Sequence, residues 1–399
     1  MELLAPVGTP DKLKLAIHYG ADAVYLASKR VGLRTFAGNF DDEELKWAVE
    51  YVHTAGKKIY ITINILPHDS DFEGLDEYVK YLEKLGVDAV IVADLGVMQV
   101  VKRVAPNLDI HISTQANVTN TETALLYVSL GAKRIILARE LSLEEIKNIH
   151  QNLPQEIELE AFAHGAMCIS YSGRCLLSNF MTGRDANRGA CVQACRWNYT
   201  IRETNKDEEY PIEEDSKGTY ILNSHDMCMI NYLDKLKDAG ITSIKIEGRM
   251  KSEYYVANIT NAYRKALDYL YSNEHYDLPS EIEAEVYKSS HRTYSTGFFF
   301  GQPKQNLQTS MPEANYDFIA IVLEDSAEGK ALVEMRNRFL ANSSFELLSK
   351  FDNNAIIHIN KIETTQGEML EDVKVVQQQV YVYTDKPLHK FDILRRKKS

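Results

Sequence analysis

All five cysteines of this chain lie in one window of the sequence, with the spacing C-x6-C-x15-C-x3-C-x32-C. They are Cys168, Cys175, Cys191, Cys195 and Cys228. Cysteines that only fill a core would be scattered along the chain, whereas thiolates that hold a soft metal or an iron–sulfur cluster must be gathered. The clustering therefore favours a metal centre over five unrelated thiols.

Two kinds of metal centre could use these thiols. A structural zinc site normally shows two close pairs of ligands, and only Cys191 and Cys195 are that close in sequence. A 4Fe–4S cluster takes four thiolates and tolerates irregular spacing, so it agrees better with the pattern. Five candidates for four places leave one cysteine spare.

The same window is basic and rich in aromatic residues. Between residues 168 and 202, one acid, Asp185, is accompanied by five arginines: Arg174, Arg184, Arg188, Arg196 and Arg202. The interleaved aromatic residues are Tyr171, Phe180, Trp197 and Tyr199. Arginine binds phosphate or carboxylate through forked hydrogen bonds, and flat rings stack on nucleobases. These residues therefore either bind a substrate such as RNA, or offset the charge of a thiolate-bound cluster and pack around it.

The composition is that of a globular protein with two or three domains: 399 residues, of which 45% are hydrophobic and 26% charged. No run approaches the ~18 apolar residues of a membrane span, and the first residues do not resemble a signal peptide. We therefore expect a cytoplasmic protein with reduced thiols and no membrane partner. The net charge of −12 argues against general nucleic-acid binding, DNA included, but allows a local basic patch.

One pattern recurs between residues 1 and 275, in which an amphipathic helix ends at a glycine and a short apolar strand follows. Glycine suits these ends because it adopts the left-handed conformation without steric cost. The glycines are Gly20, Gly56, Gly86, Gly131 and Gly240. With further apolar runs at 2–6, 108–114 and 157–163, the pattern predicts eight strands of a parallel sheet. We predict a TIM-type (β/α)8 barrel, with an open doubly wound sheet as the alternative.

The cysteine-rich insertion, about residues 164–228, falls between the seventh predicted strand and the eighth at 243–247. In a barrel this is the C-terminal face, where chemistry is usually placed. Polar residues that follow the strands should converge on the same mouth: Asn64, Asp94, Gln115, Arg139, Glu140, His164, Glu247 and Arg249. Among these, His164, Glu140 and Glu247 are the candidate catalytic groups.

The remainder of the chain changes in character. Residues 276–312 form a predicted connector with a helix near 280–290. Short apolar strands separated by turns then predict a small antiparallel β-barrel or sandwich over 313–399. The basic residues 395–398 are expected to form a solvated end, with an RNA contact as the alternative.

Several stretches of the sequence resemble a known family: EAFAHGAMCISYSGRC, NRGACVQACR, LNSHDMC and SIKIEGRMKSEYY, together with ELLAPVG and IHISTQANVTN. They are similar to the collagenase-like peptidases, peptidase family U32. The resemblance covers about residues 1–275, and the C-terminal β-domain looks like an additional domain of that family. It implies that the ligands of a 4Fe–4S cluster fall on Cys168, Cys175, Cys191 and Cys228, with Cys195 as the alternate.

The resemblance implies two different activities. The peptidase label rests on a few members with collagenase-like activity. Other members bind a 4Fe–4S cluster and perform oxygen-independent hydroxylation of the ubiquinone ring, of a ribosomal RNA cytidine or of tRNA. The tRNA hydroxylation branch, which this sequence resembles most, makes 5-hydroxyuridine at the wobble position in a reaction associated with prephenate.

The leading hypothesis is thus an iron–sulfur enzyme that hydroxylates a base of tRNA, with prephenate as a possible co-substrate and a paralogous family subunit as a possible partner. Its candidate substrate-binding residues are Arg139, Arg174, Arg188, Arg196, Arg249 and Tyr171. A peptidase is the alternative, although HEXXH and GXSXG are absent and Gly165 argues against a regular helix that would carry His164 and Cys168 as a nucleophile pair. A non-catalytic iron–sulfur subunit is the third interpretation.

Overall fold

The computed structural model describes residues 1–29, 39–168, 170–197, 214–215, 218–219, 225–303, 312–351 and 354–398. Two bodies make up this part of the chain: a parallel α/β barrel and an antiparallel β-domain. No helix of the described residues is both long enough and apolar enough to cross a membrane.

The first body is a closed eight-stranded parallel barrel. Its first seven strands are β1 (Glu2–Pro6), β2 (Ala23–Leu26), β3 (Lys58–Ile63), β4 (Ala89–Val92), β5 (Asp109–Ile112), β6 (Arg134–Ile136) and β7 (Glu158–Ala166). The insertion then contributes β8 (Glu214–Asp215), β9 (Gly218–Thr219) and β10 (Asp226–Cys228). The eighth barrel strand, β11 (Ser243–Ile246), pairs in parallel with both β7 and β1. The predicted TIM-type barrel is therefore confirmed, and the open doubly wound sheet is excluded.

Helices lie between most of these strands, in the insertion and after the last barrel strand. They are α1 (Pro10–His18), α2 (Asp42–Thr54), α3 (Leu75–Leu85), α4 (Leu95–Val104), α5 (Thr121–Ser129), α6 (Leu143–Gln151), α7 (Leu177–Thr182), α8 (Leu233–Asp238), α9 (Glu253–Ser272) and α10 (Ser280–Val286). Each of the five glycines predicted to end a helix has a positive φ, between 67° and 100°. A capping box of Ser142 and Glu145 is present at the start of α6. Local sequence signals therefore determine where these elements begin and end.

A buried ionic network crosses the barrel. Glu160 on β7 is fully buried, and its carboxylate accepts hydrogen bonds from Arg134 on β6 at 2.9 Å and from Lys245 on β11 at 3.0 Å. Arg134 also binds Glu2 on β1 at 2.6 Å. Burial opposes the charge of Arg134, but Glu160 and Glu2 raise the pKa of its guanidinium far above the usual range. A charged side chain buried here without a partner would destabilise the protein. The charged residues of the four strands β1, β6, β7 and β11 therefore stabilise one another.

The barrel sheet continues beyond its eighth strand. β10 runs antiparallel to the upper end of β7, with Asp226 opposite Ala166 and Cys228 opposite His164. A further strand, β12 (Tyr294–Ser295), pairs in parallel with β10. The segment predicted as a connector thus adds a strand to the sheet, and its predicted helix is α10.

The second body is a small antiparallel barrel. Its strands are β13 (Tyr316–Val322), β14 (Lys330–Met335), β15 (Phe339–Leu340), β16 (Ser343–Leu348), β17 (Ile356–Thr364), β18 (Met369–Leu370), β19 (Asp372–Val373), β20 (Gln379–Thr384) and β21 (Ile393–Lys397). The order β16-β21-β13-β14-β20-β17 closes on itself because β16 also pairs with β17.

The basic segment 395–398 begins with a residue that is buried. Arg395 is fully buried, and its guanidinium binds Glu285 of α10 at 2.8 Å and Glu346 of β16 at 2.6 Å. It also donates to the side-chain oxygen of Asn258 on α9 at 2.8 Å. The expectation of a solvated end is therefore wrong for Arg395, because this side chain joins the β-domain to the barrel. Arg396 instead is half exposed and lies 3.7 Å from Asp317.

Arg395→Ala should lower the free energy of unfolding by about 3 kcal/mol, because two carboxylates at the domain interface would lose a partner. Lys288, which also binds Glu285 and Glu346, keeps the effect near the low end of the usual range. Urea titration of the full chain, followed by fluorescence and circular dichroism, measures this. The control Arg396→Ala should change stability by less than about 0.5 kcal/mol. Equal effects of the two variants would show that the buried contact does not hold the domains together.

Candidate functional site at the barrel mouth

The candidate site lies where the upper ends of the barrel strands meet the cysteine-rich insertion. The insertion leaves the barrel after β7 and returns through β10, as the sequence predicted for a segment between the seventh and eighth strands. We call residues 167–197 the lid, because they contact the loops that follow three different strands. The contacts below place the lid over one side of the mouth.

Arg139, which follows β6, joins the lid to the barrel. Its guanidinium donates to the carbonyl of Ala166 at 3.0 Å and to the hydroxyl of Ser172 at 2.7 Å. Asn117, in the loop after β5, donates to the carbonyl of Ser172 at 2.9 Å. Arg139 was predicted to bind substrate. In the structure it is 8% exposed, and its main contacts attach the lid to the barrel.

A second attachment reaches the loop after β3. Arg188 forms a forked ion pair with Asp71, with distances of 2.7 and 2.8 Å, and also donates to the carbonyl of Leu66. The main chains of Leu66 and Asn187 are hydrogen bonded at 3.1 Å. The hydrogen bond between the two side chains raises the pKa of Arg188 and lowers that of Asp71. Arg188 was predicted to bind substrate, and here its guanidinium is engaged within the protein.

Four of the five thiols lie on the lid. Cys168 and Cys191 are exposed, whereas Cys175 and Cys195 are partly buried. Cys168 lies beside Arg139: burial opposes the charge of this guanidinium, but Cys168, Glu247 and Glu140 raise its pKa above the ordinary value. The thiol of Cys168 therefore lies at the mouth beside an arginine that stays charged.

Cys228 has a different environment from the lid thiols. Its sulfur lies 3.9 Å from the hydroxyl of Tyr263 on α9, and burial raises the pKa of the thiol to about 11. Strand register places Cys228 opposite His164, four residues before Cys168. An extended chain would separate such positions by about 13 Å, so the two thiols approach each other only if the chain turns back after Ala166.

The thiol donors are of the type that holds an iron–sulfur cluster. Within the described ranges, no three His, Cys, Asp or Glu side chains are placed to bind one metal ion. The described residues therefore form no structural zinc site, because such a site needs four donors around one ion. A 4Fe–4S cluster takes one thiolate on each of four irons, so its ligands lie farther apart. The ligand set Cys168, Cys175, Cys191 and Cys228, with Cys195 as alternate, stays a prediction.

His164 lies in a buried aromatic cluster. Its Nδ1 is 3.3 Å from the hydroxyl of Tyr263, and its Nε2 is 3.4 Å from that of Tyr294. The ring is 1% exposed, and burial lowers its pKa to about 3. A neutral imidazole enclosed in this way is poorly placed to exchange protons with a substrate at the open mouth. Its nitrogens face tyrosines rather than Cys168, which agrees with the prediction that these two residues do not form a nucleophile pair.

Glu140, unlike His164, is only partly buried. Burial raises the pKa of its carboxyl despite the nearby Arg139. Its Oε2 atom is buried and has no hydrogen-bond partner among the described residues. A raised pKa means that this carboxyl gives up its proton less readily than an exposed one, and its unpartnered oxygen can accept a hydrogen bond from a substrate. Glu247 follows β11, where its main chain pairs with His164.

The other predicted mouth residues have mixed roles. Asp94 caps α4, and Asn64 donates to Ser113 at 3.1 Å while its own side-chain oxygen is buried without a partner in the described structure. Gln115 lies against Gly173 of the lid. Arg249 is 3% exposed and donates to Asn39 at 3.0 Å.

Two further substrate-binding candidates lie on the lid. Arg174 and Tyr171 are exposed. The side chain of Arg196 and all of Arg202 and Tyr199 lie outside the described residues. Sequence reasoning missed Tyr263, Tyr294 and Asp71, because a tyrosine in an amphipathic helix and an acid in a loop carry no local signal of a distant partner.

Comparison with known proteins agrees with this architecture. The family model described as Peptidase family U32 matches residues 8–309, and that described as Peptidase family U32 C-terminal domain matches residues 314–395. Together they span the barrel with its lid and the small β-barrel. The chain belongs to peptidase family U32.

Relatives within this family carry different names. The chain is 37% identical over 402 residues to tRNA hydroxylation protein P1 of Bacillus subtilis, covering 100% of this chain and 95% of the relative. It is 37% identical over 319 residues to the 23S rRNA 5-hydroxycytidine synthase of Escherichia coli, covering 77% of this chain and 46% of the relative. It is 33% identical over 313 residues to a collagenase of Porphyromonas gingivalis, covering 75% and 74%.

Arg188→Ala should loosen the lid without unfolding the barrel. A partly exposed forked pair contributes about 0.7 kcal/mol, so amide exchange within residues 171–197 should become about threefold faster. Hydrogen-exchange mass spectrometry of lid peptides measures this. Arg103→Ala is the control, because Arg103 makes a similar forked contact with Asp76 away from the lid. Lid exchange that is unchanged in Arg188→Ala, or equally faster in both variants, would contradict the assigned tether.

Proposed function

We propose that this chain is an iron–sulfur-dependent enzyme that hydroxylates a base of RNA without molecular oxygen, with the wobble uridine of tRNA as substrate and 5-hydroxyuridine as product. The observation that carries the proposal is the likeness over the whole chain to a tRNA hydroxylation protein. This likeness includes the lid and the β-domain as well as the barrel. Such an enzyme would act in the cytoplasm, and a paralogous family subunit is a possible second partner.

The mouth offers groups suited to a base and to an acidic co-substrate. Arg139 is a cation held beside Glu140 and Cys168. Glu140 presents an unpartnered buried oxygen that could accept a hydrogen bond from an N–H group of a base. A base paired or stacked in RNA cannot reach such a mouth, so the substrate nucleotide must be turned out of its stack. Prephenate is the proposed co-substrate, because arginine binds carboxylates such as those of prephenate.

With water as the source of oxygen, replacing a C–H bond of the base by a C–OH bond releases two electrons and two protons, so an external acceptor must take up the electrons. A bound 4Fe–4S cluster would supply redox chemistry beside the mouth. The lid thiols supply candidate ligands, and Arg139 would offset part of the negative charge of a thiolate-bound cluster. Glu140 would hold or release a proton at its Oε2 atom, while the lid would limit access of water to the mouth.

The peptidase alternative rests on the collagenase relative. A cysteine peptidase needs a histidine within hydrogen-bond reach of the nucleophile. In this structure the ring of His164 is buried among tyrosines, and Cys168 lies beside Arg139 instead. The site therefore supports hydroxylation better than peptide hydrolysis, and the buried, unpartnered oxygen of Glu140 favours an enzyme over a non-catalytic subunit.

Iron analysis after anaerobic purification tests the cofactor and its ligands. The wild-type protein should be brown, absorb broadly near 400 nm and contain about four irons per chain. Cys168→Ser, Cys175→Ser and Cys191→Ser should each lose most of the iron. Comparison of Cys228→Ser with Cys195→Ser identifies the fourth ligand, since only one of them should lose iron. Full iron retention in all five variants would exclude the cluster as proposed.

Nucleoside analysis of total tRNA from a deletion strain tests the activity. The strain should lack 5-hydroxyuridine and its derivatives, and the wild-type gene should restore them. Glu140→Gln should restore less than about a tenth of the wild-type amount, because a proton-transfer group contributes a hundredfold or more in rate. Glu144→Gln, an exposed acid in the first turn of α6, is the matched control and should restore the full amount. An unchanged profile in the deletion strain would remove tRNA hydroxylation and favour the peptidase.

A further inference from the structure

The lid carries several large apolar side chains that are exposed to solvent. We call this set the lid patch: Tyr171, Leu176, Phe180, Met181 and Trp197, which are 48%, 55%, 84%, 47% and 41% exposed. Single exposed apolar residues are common on proteins, but five within a segment of 27 residues are unusual. Such a concentration marks a surface that contacts another molecule.

The orientation of α7 explains why these side chains face outward. Ser178 is 2% exposed, and its hydroxyl accepts a hydrogen bond from the main chain of Val192 at 3.1 Å. This contact fixes the inner face of the helix against the segment that carries Cys191. Leu176 and Phe180 lie one turn apart on the same face, and they are exposed. A specific contact therefore holds Leu176 and Phe180 toward solvent, and their exposure does not result from poor packing of α7.

The charge around the patch indicates the chemistry of its partner. Residues 168–197 contain four arginines and one acid, in a chain with a net charge of −12. The acid, Asp185, is occupied as a cap by the main chain of Asn187 at 2.8 Å. Arg174 is exposed between Tyr171 and Leu176 in the sequence. Arginines beside exposed rings are the combination with which proteins bind single-stranded RNA, through phosphate contacts and base stacking.

We propose that the lid patch is a docking surface for single-stranded RNA, on which Phe180 stacks against a base next to the one that enters the mouth. This inference rests on the proposed function, because the lid joins the patch to the mouth through Arg139 and Arg188. Docking there would hold a loop of tRNA while its neighbouring nucleotide is turned out. The strongest contact should come from Phe180, the most exposed ring of the set.

The β-domain provides a matched control. Phe351 is 67% exposed, so it resembles Phe180 in type and exposure but lies on the other body. Both side chains are largely in solvent, and truncation of either should leave folding unchanged. Any difference between Phe180→Ala and Phe351→Ala in RNA binding therefore reports on the surface, not on stability.

Binding of a fluorescent anticodon stem-loop RNA to the full-length holoprotein, measured by anisotropy, tests the proposal. Phe180→Ala should weaken binding about tenfold or more, because loss of one base stack has an effect of this size. Phe351→Ala should bind as the wild type does. Arg174→Ala should reduce the slope of log Kd against log salt by about one, as expected for one phosphate contact.

The outcomes separate this inference from the proposed function. Wild-type binding that is unchanged in Phe180→Ala overturns the lid patch as the RNA surface and leaves RNA hydroxylation standing. Absence of RNA binding by the wild-type holoprotein, together with an unchanged nucleoside profile in the deletion strain, overturns both. If the wild type does not bind RNA but sediments as a dimer that Phe180→Ala dissociates, the patch is an interface between copies of this chain, and the inference is wrong.

Discussion

One buried carboxylate holds together the part of the barrel on which the site is built. Glu160 is fully removed from water, and it is tolerated only because Arg134 and Lys245 reach it from the strands on either side. The loops that follow the same three strands, β6, β7 and β11, carry Arg139, the lid and Glu247. The network lies nearer the first residues of these strands, where it stabilises the pairing of the strands that lead to the mouth.

Most of the barrel could be predicted from the sequence because its signals are local. A helix that ends at a glycine depends on a few neighbouring residues, and the positive φ of all five predicted glycines confirms these helix ends. Strand ends were less accurate: the seventh strand was predicted to end at residue 163 but continues to Ala166, because β10 pairs with its upper end. The burial of Arg395 could not be predicted, since its partners come from two distant segments.

The site was predictable in location but not in detail. The cysteine window was placed correctly between the last two barrel strands, because an interruption of a repeating pattern is visible in the sequence. The roles of individual residues depended on packing. Arg188 and Arg139, predicted to bind substrate, have guanidinium groups that attach the lid to the barrel, and the ring of His164, a predicted catalytic group, is enclosed by tyrosines. Only long-range contacts distinguish these outcomes.

The insertion returns to the barrel through β10. Changes within the insertion therefore need not alter the stability of the barrel. Both ends of this excursion are held side by side, where Ala166 faces Asp226 and the latter is anchored by Arg292 at 2.6 Å. Since closing a longer loop between fixed ends adds little entropic cost, its length and composition can change while the scaffold keeps its core. Divergence among paralogues can therefore proceed by exchange of this excursion alone, giving one scaffold different targets.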